Sequence, residues 1–215
     1  MTPSKPRRSP TPKERRRDPE RTRKLILDAA VAEFAAHGYA GARTAAIAAE
    51  AGVNQQLIWY YFDSKEGLYQ AISERWRERE SALIPSGTSL PEQIRRYALE
   101  GLHNPEGVRL LAWSGLEYTG PHDDPDHAPR AGRMQRFVDH LRAEQESGHL
   151  PAELDPDCLT IILMAAAMAT TSIPHVIEGL CQVDPRSPEF IDRYAQQLAI
   201  VARLLGLDLA EGPAI

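Results

Sequence analysis

The stretch that decides the reading of this chain is TAAIAAEAGVNQQLIWYYF, residues 44–62 of 215. Thr44 has the side chain of a helix N-cap, and the Ala-rich segment behind it buries Ile47, Ala48 and Ala51 before Gly52 stops it after about two turns. Only Val53 and Asn54 separate that stop from a second helical segment, Gln55 to Phe62. Two short helices joined by a tight, Gly-containing turn make a helix-turn-helix. In the second of them Ile58, Tyr61 and Phe62 share one side, while Gln56, Leu57, Trp59 and Tyr60 spread over the other. An amide side chain can pair with both N6 and N7 of adenine, an apolar one can meet the thymine methyl, and Tyr and Trp can donate to phosphate oxygens. The outward face therefore suits a DNA major groove.

The pattern extends in both directions. Upstream, Ile26, Leu27, Ala30, Val31 and Phe34 fall within about 140° of one another at the helical period, giving a first helix from Arg21 that Gly38 closes. Downstream, Asp63 and Glu66 stand three apart like a capping box, starting a fourth helix through Leu68, Ile72 and Trp76 to about Ala82. Lys65 and Thr44 each sit at a helix start, where backbone N–H groups favour a phosphate. For Thr44, capping alone accounts for the residue equally well.

These residues carry a resemblance. The Thr44-capped helix, Ala51-Gly52-Val53, the aromatic-rich helix ending in Tyr61-Phe62 and the following Ser64-Lys65-Glu66-Gly67-Leu68 resemble the TetR-type transcriptional regulators. The resemblance implies a dimeric, all-helical regulator with an N-terminal DNA-binding domain and a C-terminal domain that senses a small molecule. By position it implies phosphate contacts at Thr44, Trp59, Tyr61 and Lys65 and a base-facing group of Gln55, Gln56 and Leu57; Tyr60 is added from its outward face. Gln56 departs from the small residue or proline frequent there, and Trp59 from the usual Tyr.

The expected fold is all-α with about nine helices and no strand. Residues 1–18, rich in Pro and basic residues, read as a disordered arm. A helix-turn-helix domain follows over 19–66, a helical effector-binding and dimerisation domain over 67–208, and a tail over 209–215. Helix starts in the second domain are marked by Ser89 with Glu92, by Pro105, by Asp155-Pro156 and by Ser187-Pro188. Arg133 to Gly148 reads as a helix with Phe137, Val138 and Leu141 inward, after a loop from Gly120 to Pro129.

In the last helix Phe190, Ile191, Tyr194, Leu198, Val201 and Leu205 occupy a band about 100° wide. Residues 158–177 lack Asp, Glu, Lys and Arg, long enough to test as a membrane span, but Thr160, Thr170, Thr171, Pro174 and His175 mark a buried helix instead. Pro174 should kink it or end it near Ile173. Given the resemblance, the last two long helices would form a four-helix homodimer interface; packing within one subunit is the alternative. For the effector pocket, Trp113, Tyr118, Met134, Phe137, Met164 and Met168 offer adaptable apolar walls, with His140 and His175 as polar handles.

The net charge of −5 conceals a split. Residues 1–24 hold ten basic and three acidic groups, a net of +7, and everything after Lys24 sums to −12. The basic end is either a solvated tail or an arm that follows a phosphate backbone. Cys158 and Cys181 are too few for a disulfide framework and read as buried thiols in a reducing cytosol. The positive N-terminus lacks an apolar run after it, which argues against secretion and for a cytoplasmic protein without membrane contact. His122, Asp123, Asp124, Asp126 and His127 have no recognised ligand spacing and read as an acidic loop, not a metal site. With no catalytic or cofactor motif found, the expectation is not an enzyme but a ligand-responsive repressor on a palindromic double-stranded operator. The alternatives are a helical enzyme or carrier with a degenerate helix-turn-helix, and a DNA-binding regulator without ligand.

Overall fold

The computed structural model describes residues 12–85, 87–124 and 126–207. Among the described residues the chain is all-helical. The helices are α1 (Pro12–Gly41), α2 (Thr44–Glu50), α3 (Gln55–Phe62), α4 (Lys65–Leu83), α5 (Leu90–His103), α6 (Pro105–Leu116), α7 (His127–Glu146), α8 (Pro156–Ser172), α9 (Pro174–Cys181) and α10 (Pro188–Leu204), with a short 3-10 turn at Pro121–Asp123.

Two apolar clusters hold these helices. The first joins Ile26, Ala30 and Phe34 of α1 to Ile47 of α2, Ile58 and Phe62 of α3 and Leu68, Tyr69 and Ile72 of α4. Leu110 of α6 enters the same cluster, so the second domain is keyed into the first. The second joins Leu90 and Ile94 of α5 to Phe137 and Leu141 of α7, Leu159 and Leu163 of α8 and Ala202 of α10.

Local chemistry explains most helix ends. Asn54 accepts a hydrogen bond from the Gln56 N–H at 2.9 Å, Asp155 from Cys158 at 2.7 Å and Ser187 from Phe190 at 3.3 Å, each an N-cap. Gly52 leaves α2 with a φ of 66°. Gly67 packs so tightly under the end of α3 that a Cβ there would lie 2.2 Å from the Phe62 carbonyl oxygen.

Several expectations are corrected. The expected arm is already helical from Pro12, because Pro is preset for a first helical position and the Lys, Glu and Arg that follow are good helix formers; residues 1–11 lie outside the described residues, as does the tail from 208 onward. Thr44 is the first residue of α2 and Arg43 its N-cap, without a side-chain cap bond. Ser64, not Asp63, caps α4, accepting from the Gly67 N–H at 2.9 Å, while Asp63 closes α3 with a φ of 61°. Helix α7 starts at His127, so the preceding loop is shorter than expected. As expected, Pro174 ends the first part of the uncharged run, dividing it into α8 and α9, which meet at 78°. Among the described residues no single helix is long and apolar enough to cross a membrane. Both cysteines are exposed: each falls on the outward side of its helix, which an apolar neighbourhood in sequence does not reveal.

Candidate nucleic-acid interface and effector chamber

Helix α3 buries Ile58 and Phe62 against α1 and α4. That anchoring leaves Gln55 and Gln56 exposed, Trp59 40% exposed and Tyr60 77% exposed. Leu57 and Tyr61 are half-buried and pack along the edge of the first cluster. Leu57 thus leans on the core, in contrast to the freely base-facing position expected of it. Gln55 is tied back to α2, its side-chain amide donating to the Thr44 hydroxyl at 2.8 Å. The Lys65 ammonium donates to the Ala42 carbonyl at 2.6 Å and lies 4.9 Å from the centre of the Tyr39 ring, so it fastens the end of α1 to the start of α4. The outward polar and aromatic surface is therefore carried chiefly by Gln56, Trp59 and Tyr60. Exposed Arg43 stands beside Thr44.

Behind this domain a chamber of about 380 Å³ opens between α4, α5, α6, α7 and α8. Ile72, Trp76, Tyr97, Leu111, Met164 and Met168 give it apolar and aromatic walls. Most of its polar groups are mutually engaged, although the buried Nε and Nη1 of Arg133 have no hydrogen-bond partner among the described residues. Arg79 donates to both Glu100 oxygens at 3.1 and 2.9 Å, Tyr97 donates to Glu80 at 3.1 Å, and Arg133 lies 3.5 Å from both Glu80 and Asp126. Arg77 completes Asp126 at 2.7 Å, and Arg130 pairs with Asp124. Burial pushes the Glu80 carboxyl above its usual range, with Arg133 pulling the other way. Burial likewise raises the Tyr97 phenol and pushes Tyr69 up to about 12.

Of the expected pocket residues, Met134, Met164 and Met168 line the chamber. The others are elsewhere. Trp113 turns its indole toward α1, Phe137 is a core residue at 1% exposure, and Tyr118 and His175 are exposed. His140 is half-buried outside the lining. Missed were Trp76, Arg79, Glu80, Tyr97, Glu100 and Arg133. Their signal was charge interrupting an apolar stripe: Glu80 continues the line of Ile72 and Trp76, and Glu100 stands three residues after Tyr97. Among the described residues no group of three His, Cys, Asp or Glu converges as a metal site.

The expected interface residues divide. Phe190 and Ile191 are buried within the chain, Leu198 packs on the second cluster, and Tyr194 donates its hydroxyl to the Ala166 carbonyl at 2.8 Å. Val201 and Leu205 remain exposed. The inner half of the apolar band serves the chain's own core, because α10 packs on α5 and α8. Besides Val201 and Leu205, exposed large apolar side chains include Ile161 and Ile162 of α8, Leu180 of α9, and Ile200 and Leu204 of α10.

Known proteins match both halves of this architecture. The family described as bacterial regulatory proteins of the tetR family matches residues 26–72, and the family described as a tetracyclin repressor-like C-terminal domain matches residues 89–202. The HTH-type transcriptional repressor SCO4008 of Streptomyces coelicolor is 37% identical over 164 residues, 74% of this chain and 83% of that protein. The HTH-type transcriptional repressor NicS of Pseudomonas putida is 42% identical over 177 residues, 77% of this chain and 82% of that one. Among solved structures, the transcriptional regulator SCO4942 from Streptomyces coelicolor superposes with a TM-score of 0.68 at 29% identity, covering 86% of this chain and 99% of that one. A helix-turn-helix with an exposed amide-aromatic face, joined to a helical domain enclosing a chamber and matched along both parts, makes this chain a member of the TetR family of transcriptional regulators.

Proposed function

We propose that the chain is a cytoplasmic repressor that binds a palindromic operator as a homodimer and is released by a small, predominantly apolar effector. The observation that carries the proposal is the exposure of Gln56, Trp59 and Tyr60 on a helix otherwise anchored by Ile58 and Phe62. A helix with only a structural role has no reason to hold that surface in water. Gln56 supplies base readout, Trp59 and Tyr60 supply donors to phosphate, and Thr44, Gln55, Leu57, Tyr61 and Lys65 hold the helix in register. Two such helices would enter successive major grooves about 34–36 Å apart. The names of the two relatives support repression as the output. The apolar surface of α8 and α10 suits an isologous four-helix interface. The effector would occupy the chamber, where Trp76, Tyr97 and the methionines offer apolar contact and the buried Arg133 nitrogens without a hydrogen-bond partner among the described residues offer a donor.

The test is selection of duplexes from a random library by the full-length protein. The expected enrichment is an inverted repeat, bound with an affinity that excess non-specific DNA does not abolish. Enrichment of no sequence at moderate salt contradicts the proposal.

A further inference from the structure

Gly38 interrupts α1 with a φ of 69° and a ψ of 178°. That ψ turns the next N–H out of the helix, so Tyr39 N–H and the Ala35 carbonyl, which an unbroken helix would join, are parted. Both orphaned groups are taken by the last turn of α6. The Trp113 indole N–H donates to the Ala35 carbonyl at 3.1 Å. One Glu117 oxygen accepts from the Tyr39 N–H at 2.7 Å, and the other accepts from the Ala40 N–H at 3.1 Å. Trp113 and Glu117 are four residues apart, hence on one side of the helix end. The approach is close: a Cβ on Gly38 would lie 2.3 Å from a Glu117 oxygen and 3.0 Å from the Trp113 ring.

The same α6 walls the chamber with Leu110, Leu111 and Ser114. On the far side of the break, Lys65 holds the Ala40 and Ala42 carbonyls, and Ala42 leads through Arg43 into α2. The angle at Gly38 therefore sits between the chamber wall and the helix-turn-helix.

We propose that Trp113 and Glu117 stand in for the missing Ala35–Tyr39 hydrogen bond and make the break in α1 a two-state element. In the strapped state α1 is bent and the helix-turn-helix is held in its operator-binding orientation. In the released state Trp113 and Glu117 leave the break, the Ala35 carbonyl and the Tyr39 and Ala40 N–H groups turn to water, and the angle at Gly38 is no longer fixed, while the apolar cluster of α1–α4 stays packed. Water can replace the strap at these part-exposed groups, so its net contribution is modest and the position of α6 decides between the two states. This rests on the effector-released repressor reading and supplies its regulation: a molecule that displaces α6 from the chamber side draws Glu117 and Trp113 off α1. Glu117 is thus a positioning residue for DNA binding, remote from the DNA itself.

The experiment compares the full-length parent with Glu117→Gln, Glu117→Ala, Gly38→Ala and the double variant G38A/E117A. Affinity is read by anisotropy on a duplex selected by the parent, and Trp113 emission is read in a Trp59→Phe, Trp76→Phe background. Gly38→Ala disfavours the bend and clashes with the strap, so it reaches the released state from the opposite partner. The expected result is about tenfold weaker binding for each of Glu117→Ala and Gly38→Ala, a smaller loss for Glu117→Gln, and red-shifted Trp113 emission in all. The double variant should bind no more than about threefold weaker than the weaker single one, since both changes populate one state. Binding within twofold of the parent, losses that multiply in the double variant, or weakened binding without a red shift each overturn the proposal. If Glu117→Ala does not fold, Gly38→Ala and Glu117→Gln carry the comparison. If the parent selects no duplex, the repressor reading fails, and the emission shift alone then decides whether the strap exists.

Discussion

Two guanidinium groups converge on one carboxylate at Glu92: Arg95 donates to it at 2.7 and 2.9 Å and Arg96 at 2.8 Å. Arg95 first and Arg96 second hold the carboxyl at about 2. A carboxyl depressed by folding contributes stability above its unfolded value, near 4.3, and loses it as pH falls toward 2. With the group about a third exposed, solvent screening leaves about 1 kcal/mol of this effect. Glu92→Gln should therefore lower stability by about 1 kcal/mol at pH 7, with the deficit vanishing between pH 4 and 2 in denaturant titrations. A second residue-scale expectation concerns Gly67, where the added methyl of Gly67→Ala meets the Phe62 carbonyl oxygen. Backbone cannot yield as a side chain can, so about 1–3 kcal/mol should be lost, and α3 should shift with it. Single residues were the least legible level. Gln56, Trp59 and Tyr60 could be placed outward because the period of a short helix leaves little choice. Leu57 and Lys65 could not be placed, because where Leu57 leans and what the Lys65 ammonium reaches depend on α1 and α4, distant in sequence.

Elements were more legible, and their errors have physical causes. The Pro-led starts at 105, 156 and 188 and the stop at Pro174 follow from a ring that fixes φ and lacks an N–H, and each stands where expected. The capping of α4 was misplaced by one residue because Asp63 and Ser64 are both competent caps, and only the close packing of Gly67 chooses between them. The band on α10 was identified as apolar, but periodicity does not say which half of a band meets its own chain. The exposed apolar side chains of α8, proposed to join that outer half in the interface, yield a prediction. Ile161→Glu, at a position 66% exposed, should convert the proposed dimer to a monomer in sedimentation velocity while each chain keeps its helicity. A dimer that survives the charge would place the interface on another face. At the N-terminal end, replacing Arg15, Arg16 and Arg17 by Ala should flatten the dependence of log affinity on log salt by roughly 0.9 for each phosphate these arginines neutralise. An unchanged slope would make the basic segment a solubilising tail.

Over the whole molecule, charge and packing divide the labour. Residues 1–70 hold 12 basic and 8 acidic groups, a net of +4, and the rest of the chain is −9. The acidic body repels a DNA backbone, which would favour docking through the helix-turn-helix end. Packing links the two ends again: Leu110 inserts into the first cluster while Leu111 and Ser114, one and four residues on, face the chamber. The two-domain plan was readable from composition and helix starts. The chamber was only partly readable, since three of its methionines were named but its carboxylates and guanidiniums come together only through the packing of α4, α5 and α7.

The measurement that most directly tests this account is a footprint of the full-length protein on a duplex it has selected. Protection is expected on two major-groove segments about 34–36 Å apart on one face of the DNA, abolished by Gln56→Ala with Trp59→Ala. Protection that survives this double change, or that covers one groove segment alone, would contradict it.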